Sequence, residues 1–148
     1  MNKKNLSVEH TFTLAFQNHQ KNYFREAENL YNEILKINPN HFKALFYLGS
    51  LAVQTRRFDI AKQLFQKAIQ IKPDYADAHN NLGLVLMEFR RVDEAVMHYH
   101  KALDIKPGCA EAHFNLGNAL KALGRFDEAD LFFLRCRSQA RLAALLLR

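Results

Sequence analysis

Histidines are the residues in this chain whose chemistry would suit a metal ion, and four of them are regularly placed: His79 and His113 lie 34 residues apart, and His98 and His100 are near neighbours. A shared zinc needs each imidazole nitrogen about 2 Å from the ion. His79 and His113 fall at equivalent places on helices that pack at about 8–10 Å or more, and residues two apart on a helix point to different sides. Neither pair makes a centre, and packing or solvent exposure is expected for all seven histidines. The carboxylate pairs Asp93-Glu94 and Asp127-Glu128 could do acid–base work. Both fall where a helix starts, however, and there negative charge simply meets the positive end of the helix dipole. The five glycines, at 49, 83, 108, 117 and 124, form no phosphate-cradling loop, and neither G-x-S-x-G nor H-E-x-x-H is present. No catalytic residue, metal ligand or cofactor is expected.

What remains is recognition chemistry. Asn81 and Asn115 are 34 residues apart, and a side-chain amide offers both a donor and an acceptor, so a row of amides can hold the backbone of an extended peptide of any sequence. Arg57, Arg91 and Arg125 keep the same interval, with Arg56 and Arg90 beside two of them. Such a ridge could meet nucleic acid, but basic residues near a helix C-terminus are also what the dipole favours. No aromatic residue recurs beside the ridge to stack a base. Nucleic acid is therefore not the expected partner.

The interval that spaces these residues also spaces the elements that must position them. Pro39, Pro73 and Pro107 are 34 apart, and so are Ala27, Ala61, Ala95 and Ala129. Leu48-Gly49, Leu82-Gly83 and Leu116-Gly117 form a third column, with Leu14-Ala15 in the first copy, and Tyr31, Phe65, Tyr99 and Phe133 a fourth. A fixed period of this length marks a repeat architecture. Within a copy the apolar residues recur at helical spacing in two blocks, as in Ala78, Leu82, Val85, Leu86 and then Val92, Ala95, Val96, Tyr99, Ala102, Leu103. The unit is a pair of antiparallel helices. The recurrent glycine predicts a close approach of the two helices, the alanine is its small counterpart on the second helix, and the later aromatic is a knob for the gap between successive units. Each proline ends a second helix, and Asn40 and Asp74 are placed to cap the next one.

These columns together resemble the tetratricopeptide repeat (TPR) family, with copies at about 8–41, 42–75, 76–109 and 110–143. The resemblance implies an all-α, right-handed α-solenoid of four helix-turn-helix repeats, residues 8–141, between a tail at 1–7 and a C-terminal helical extension at 142–148. It also implies that the first helices line a concave groove that binds an extended peptide or a partner helix. With Leu48, Leu82 and Leu116 facing the core, the groove would be lined by Phe16, Phe46, Tyr47, Asn80, Asn81, Met87, Phe114, Asn115 and Asn118. Phe12, Thr13, Ser50, Val53, Asp77, Leu84, Glu111 and Lys121 share that face. Ala78-His79-Asn80-Asn81-Leu82-Gly83 is similar to the TPR region of O-linked N-acetylglucosamine transferases, whose asparagine ladder it would continue. Tyr47 and Thr13 replace the asparagine in the first two copies. A chaperone-type carboxylate clamp is poorly matched, since Phe12, Phe16, Tyr47, Asp77 and Asn81 stand where it needs lysine, arginine and asparagine.

Charge and composition bound the rest. The net value of +6 is uneven: residues 1–74 hold eleven Lys/Arg against six Asp/Glu, 75–134 six against nine, and the last 14 residues four arginines and no acid. No apolar run is long enough to span a membrane, and Met1-Asn2-Lys3-Lys4-Asn5 is no signal core. Two cysteines make no disulfide framework, so a reducing, cytoplasmic setting is expected. Where a fourth proline would fall stands Arg141, followed by Leu142, Ala143, Ala144, Leu145, Leu146 and Leu147. That apolar stretch predicts docking on the last repeat, self-association, or a chain cut from a longer protein. Two functions stay open: a stand-alone peptide-binding adaptor, or the substrate-recruiting segment of a larger glycosyl- or sulfotransferase.

Overall fold

One backbone conformation recurs at every turn between paired helices. Asn22, Arg56, Arg90 and Gly124, again 34 apart, take positive φ of 62°, 58°, 60° and 75°. Each closes the helix before it with the same two hydrogen bonds. Arg56 N–H donates to the Val53 carbonyl at 2.9 Å and Arg57 N–H to that of Ala52 at 2.7 Å, and the pairs at Arg90/Arg91 and Gly124/Arg125 repeat the arrangement. This left-handed residue with its six-to-one bond reverses the chain in three residues, so the next helix runs back along the first.

The computed structural model describes residues 3–147. Among them are eight helices and no strand, in two units. Unit 1, residues 1–73, holds α1 (Lys3–Gln20), α2 (Phe24–Ile37), α3 (Phe42–Gln54) and α4 (Phe58–Ile71). Unit 2, residues 74–148, holds α5 (Ala76–Glu88), α6 (Val92–Ile105), α7 (Ala110–Ala122) and α8 (Phe126–Leu146). α1 begins inside the expected tail at 1–7. Met1, Asn2 and Arg148 lie outside the described residues.

Consecutive helices pack as hairpins, and within each unit the second hairpin lies on the first. Ala27, Ala61, Ala95 and Ala129 are fully or almost fully buried in the seams. The glycine column has a different neighbour from the one expected. A Cβ on Gly49, Gly83 or Gly117 would meet the ring of Phe65, Tyr99 or Phe133 at 2.8, 2.6 and 2.6 Å. The aromatic therefore fills the hairpin of its own repeat and needs a hydrogen where other residues carry a side chain. In the first copy Ala15 is buried at this place, and Leu14 beside it is 43% exposed.

Pro39, Pro73 and Pro107 each fall two residues after a second helix that ends at Ile37, Ile71 or Ile105. The caps sit one residue later than expected: His41, not Asn40, precedes α3, and its Nδ1 accepts from Ala44 N–H at 3.1 Å. Tyr75, not Asp74, precedes α5 and offers no side-chain cap. With arginine in place of proline, α8 runs on for 21 residues. Leu142, Leu145 and Leu146 on it are 53%, 65% and 86% exposed, so no repeat of unit 2 covers them.

Candidate functional site

The first helices of unit 1 carry an aromatic cluster. Phe16 meets Tyr47 edge-on at 5.0 Å between ring centres, Phe12 lies 5.7 Å from Tyr47 and 6.0 Å from Tyr31, and Phe46 meets Tyr47 at 5.2 Å. Phe12, Phe16 and Tyr47 are half-buried. Phe46 is not a groove residue in this sense: it is buried, with its ring 5.9 Å from Phe65. Beside the Phe16–Tyr47 edge opens a pocket of about 370 Å³, lined also by His19, Gln20, Asn22, Ser50 and Gln54. His19, at its base, donates from Nε2 to Gln54 Oε1 at 3.2 Å and accepts at Nδ1 from the Tyr31 hydroxyl at 3.4 Å. Burial holds the His19 imidazole below its ordinary value, against the opposing pull of Gln54, and burial raises the Tyr31 phenol. Both remain neutral hydrogen-bonding groups.

In unit 2 the amides are linked to one another. Asn80 is only 3% exposed, contrary to the outward orientation expected of it. Its Nδ2 donates to Glu111 Oε1 at 3.0 Å, and its Oδ1 accepts from Asn115 Nδ2 at 3.0 Å. Glu111 and Asn115 are one helical turn apart on α7 and bracket the buried amide of α5. That satisfaction is what allows a polar side chain to sit there. Asn115 thus gives one amide hydrogen to Asn80, in the neighbouring copy. Asn81, Asn115, Met87 and Leu84 are half-buried on this face, and Asn118 and Lys121 are exposed. Phe114 leaves half its surface open while its ring stays 5.9 Å from Phe133.

The three repeating arginines are ion-paired. Arg57, Arg91 and Arg125 occupy the cap positions before α4, α6 and α8, at helix N-termini, where the dipole does not favour them. Arg57 binds Glu28 with both terminal nitrogens, at 2.7 and 3.0 Å. Arg91 and Arg125 close on Glu94 and Glu128, the acids of the following helix's first turn. The Arg125 hydrogen bond holds the Glu128 carboxyl below its usual range.

Two histidines do meet, though not in the pairs that spacing suggested. His79 Nδ1 and His98 Nδ1 are 3.1 Å apart across the α5–α6 hairpin, with the rings stacked at 5.3 Å. Burial, then the neighbouring His79, hold His98 below its ordinary value, against the pull of Glu94. Among the described residues no group of three His, Cys, Asp or Glu is placed to hold a metal, and no helix is long and apolar enough to cross a membrane.

The repeat-level pattern has close counterparts. A family model described as tetratricopeptide repeat matches residues 74–141, and one described as TPR repeat matches 57–88. No curated protein matches the sequence. Among solved structures, a crystal structure of MamA is 27% identical with a TM-score of 0.84, covering 93% of this chain and 80% of that one. MamA from Desulfovibrio magneticus RS-1 shares the fold at 20% identity and TM-score 0.83, over 90% and 76% of the two chains. A mutant O-GlcNAc transferase from Thermobaculum terrenum is 26% identical with TM-score 0.77, over 81% of this chain but only 23% of that one. With left-handed turns, buried alanines and glycine–aromatic seams at one common interval, and with these matches, the chain belongs to the tetratricopeptide repeat family.

Proposed function

We propose that the protein is a non-catalytic interaction module that holds an extended peptide or a partner helix against its first helices. The observation that carries this reading is the pocket beside Phe16 and Tyr47: an apolar aromatic wall with a few polar groups, His19, Gln20, Ser50 and Gln54, at its rim. Sites of that composition anchor one apolar side chain and orient it by hydrogen bonds. The Asn81 and Asn115 amides and the exposed Phe114 of unit 2 provide backbone-directed contacts of lower selectivity, about 0.5–1.5 kcal/mol for each neutral hydrogen bond. The exposed leucines of α8 are read as a self-association surface.

Comparing wild type with Tyr47→Ala and with the Asn81→Ala, Asn115→Ala pair on a peptide array tests the reading. Tyr47→Ala should change which peptides are held, whereas the asparagine pair should weaken all of them by a similar factor. Unaltered binding in both, with loss on replacing Arg57, Arg91 and Arg125, would move the site to the turns.

A second reading is that the chain is the substrate-recruiting segment of a larger transferase. It is favoured by the match to the Thermobaculum terrenum enzyme, of which this chain spans about a quarter. The open reading frame after Arg148 decides it.

A further inference from the structure

A stripe of leucines runs along the outward side of α8. Leu131, Leu134, Leu142 and Leu145 are each more than half exposed. At 100° per residue they all point within about 40° of Ser138, which is exposed as well. Ser138 follows Ala129 by nine residues, half a turn round the helix. Since Ala129 is buried against α7, the stripe faces straight away from that hairpin.

Leu131 and Leu134 are not core positions left without a cover. The same places in the earlier copies are exposed too, and they carry Asn29, Gln63 and Met97 in line with Leu131, and Asn32, Gln66 and His100 in line with Leu134. Only the fourth copy is apolar at both. The extension then adds Leu142 and Leu145 to the same side, and a contiguous exposed apolar patch marks a contact surface.

The order of the stripe indicates its occupant. Leucines stand seven and four residues before Ser138, and four and seven residues after it, so the stripe reads the same in both directions. We propose that two copies of this chain pair through α8 as an antiparallel, isologous dimer with the two-fold axis at Ser138, a register that rests on the reading of the α8 leucines as a self-association surface. Leu131 then meets Leu145 of the second copy, and Leu134 meets Leu142, at both ends of the contact. The small serine falls on the axis, where the two backbones approach most closely. Arg135, Arg137 and Arg141 flank the stripe, make no ion pair among the described residues, and are followed by no acid. Two copies bring these cations together, so apolar burial holds the dimer against charge repulsion and added salt should tighten it.

Sedimentation of the full chain tests this. Wild type should dimerise more strongly at high salt than at low salt. Ser138→Arg, at an exposed position that folding does not depend on, should weaken the dimer about a hundredfold, as like charges set against each other imply. The register is read by cysteine cross-linking in a Cys109→Ser, Cys136→Ser background. Ser138→Cys should give a disulfide-linked dimer, because a residue on the axis meets itself within bonding distance. Leu134→Cys should link to a Leu142→Cys chain and not to itself, whereas a parallel pair would link both Ser138→Cys and Leu134→Cys to themselves. A dimer that survives Ser138→Arg, or that links through Leu134→Cys alone, overturns the register and leaves self-association standing. A wild-type monomer at high concentration removes both. Flotation of a monomeric chain with phosphatidylserine vesicles, lost on adding salt, would assign the stripe to a membrane surface and likewise overturns the proposal.

Discussion

The ring of Tyr99 stands 2.6 Å from where a Cβ on Gly83 would be. Tyr99 is buried, so its ring has little room to retreat. Gly83→Ala gains about 1 kcal/mol of helix propensity, but overpacking costs about 1–3 kcal/mol, and the balance should be destabilising. Gly83→Leu should be worse. Asn81→Ala, half-buried on the first-helix face, should leave the denaturation midpoint almost unmoved. Urea titrations of the three variants compare them directly, and an Asn81→Ala loss larger than that of Gly83→Ala would reverse the assignment of faces.

Stability should fall in mild acid. His19, His41 and His98 all have folded values held below the ordinary 6.5, in each case chiefly by burial. The unfolded chain then binds more protons than the folded one, so the stability from these groups is complete above about pH 6.5 and drains away as the pH falls through the folded values. Protonation also removes the Nδ1 acceptor with which His41 caps α3, and puts a charge on His98 against the stacked His79 ring. Melting temperatures at about pH 7.5 and about pH 5 should differ, and His98→Gln should shrink the difference. A flat profile between those values would contradict the geometry.

The self-association read from α8 depends on Leu142, Leu145 and Leu146, whose burial would yield about 1.5–3 kcal/mol each. Sedimentation should show a concentration-dependent dimer that Leu145→Ser together with Leu146→Ser returns to monomer. A wild-type monomer at high concentration would remove this role.

Arg90 adopts a left-handed conformation that costs a residue with a Cβ about 1–2 kcal/mol, whereas Gly124 holds the equivalent turn with no such cost. Allowing for the greater freedom of glycine in the unfolded chain, Arg90→Gly should stabilise by about 0.5–1 kcal/mol, measured as a raised denaturation midpoint. A lowered midpoint would mean that the arginine side chain contributes more there than its backbone strain costs.

The helices and their hairpin pairing were legible in the sequence because packing repeats with the chain: every seam needs a small residue, and so Ala27, Ala61, Ala95 and Ala129 stand in line. The partner of the glycines was harder to read. Alanine and aromatic columns are both compatible with a glycine opposite, and only the rotamer of Tyr99 or Phe133 decides which fills the gap. Of the candidate groove, the half-buried positions Phe16, Tyr47, Asn81 and Asn115 fall on the first helices as read. Phe46 and Asn80 are buried instead, because ring-to-ring contact with Phe65 and two amide hydrogen bonds make burial favourable, and neither contact has a sequence signal. The His79–His98 pair was hidden for the same reason. Nineteen residues separate them, and no periodicity reports which faces two helices turn towards each other.

The three repeating arginines differ in when their partners can arrive during folding. Glu94 and Glu128 are three residues from Arg91 and Arg125, so those pairs can close as soon as a first helical turn exists. Arg57 must wait for Glu28, 29 residues away on α2, and so for two hairpins to dock. A contact made late strengthens the native state more than the transition state. Loss of Glu28 should therefore quicken unfolding and leave refolding nearly untouched, which makes this pair a brake on the escape of unit 1 from its native state.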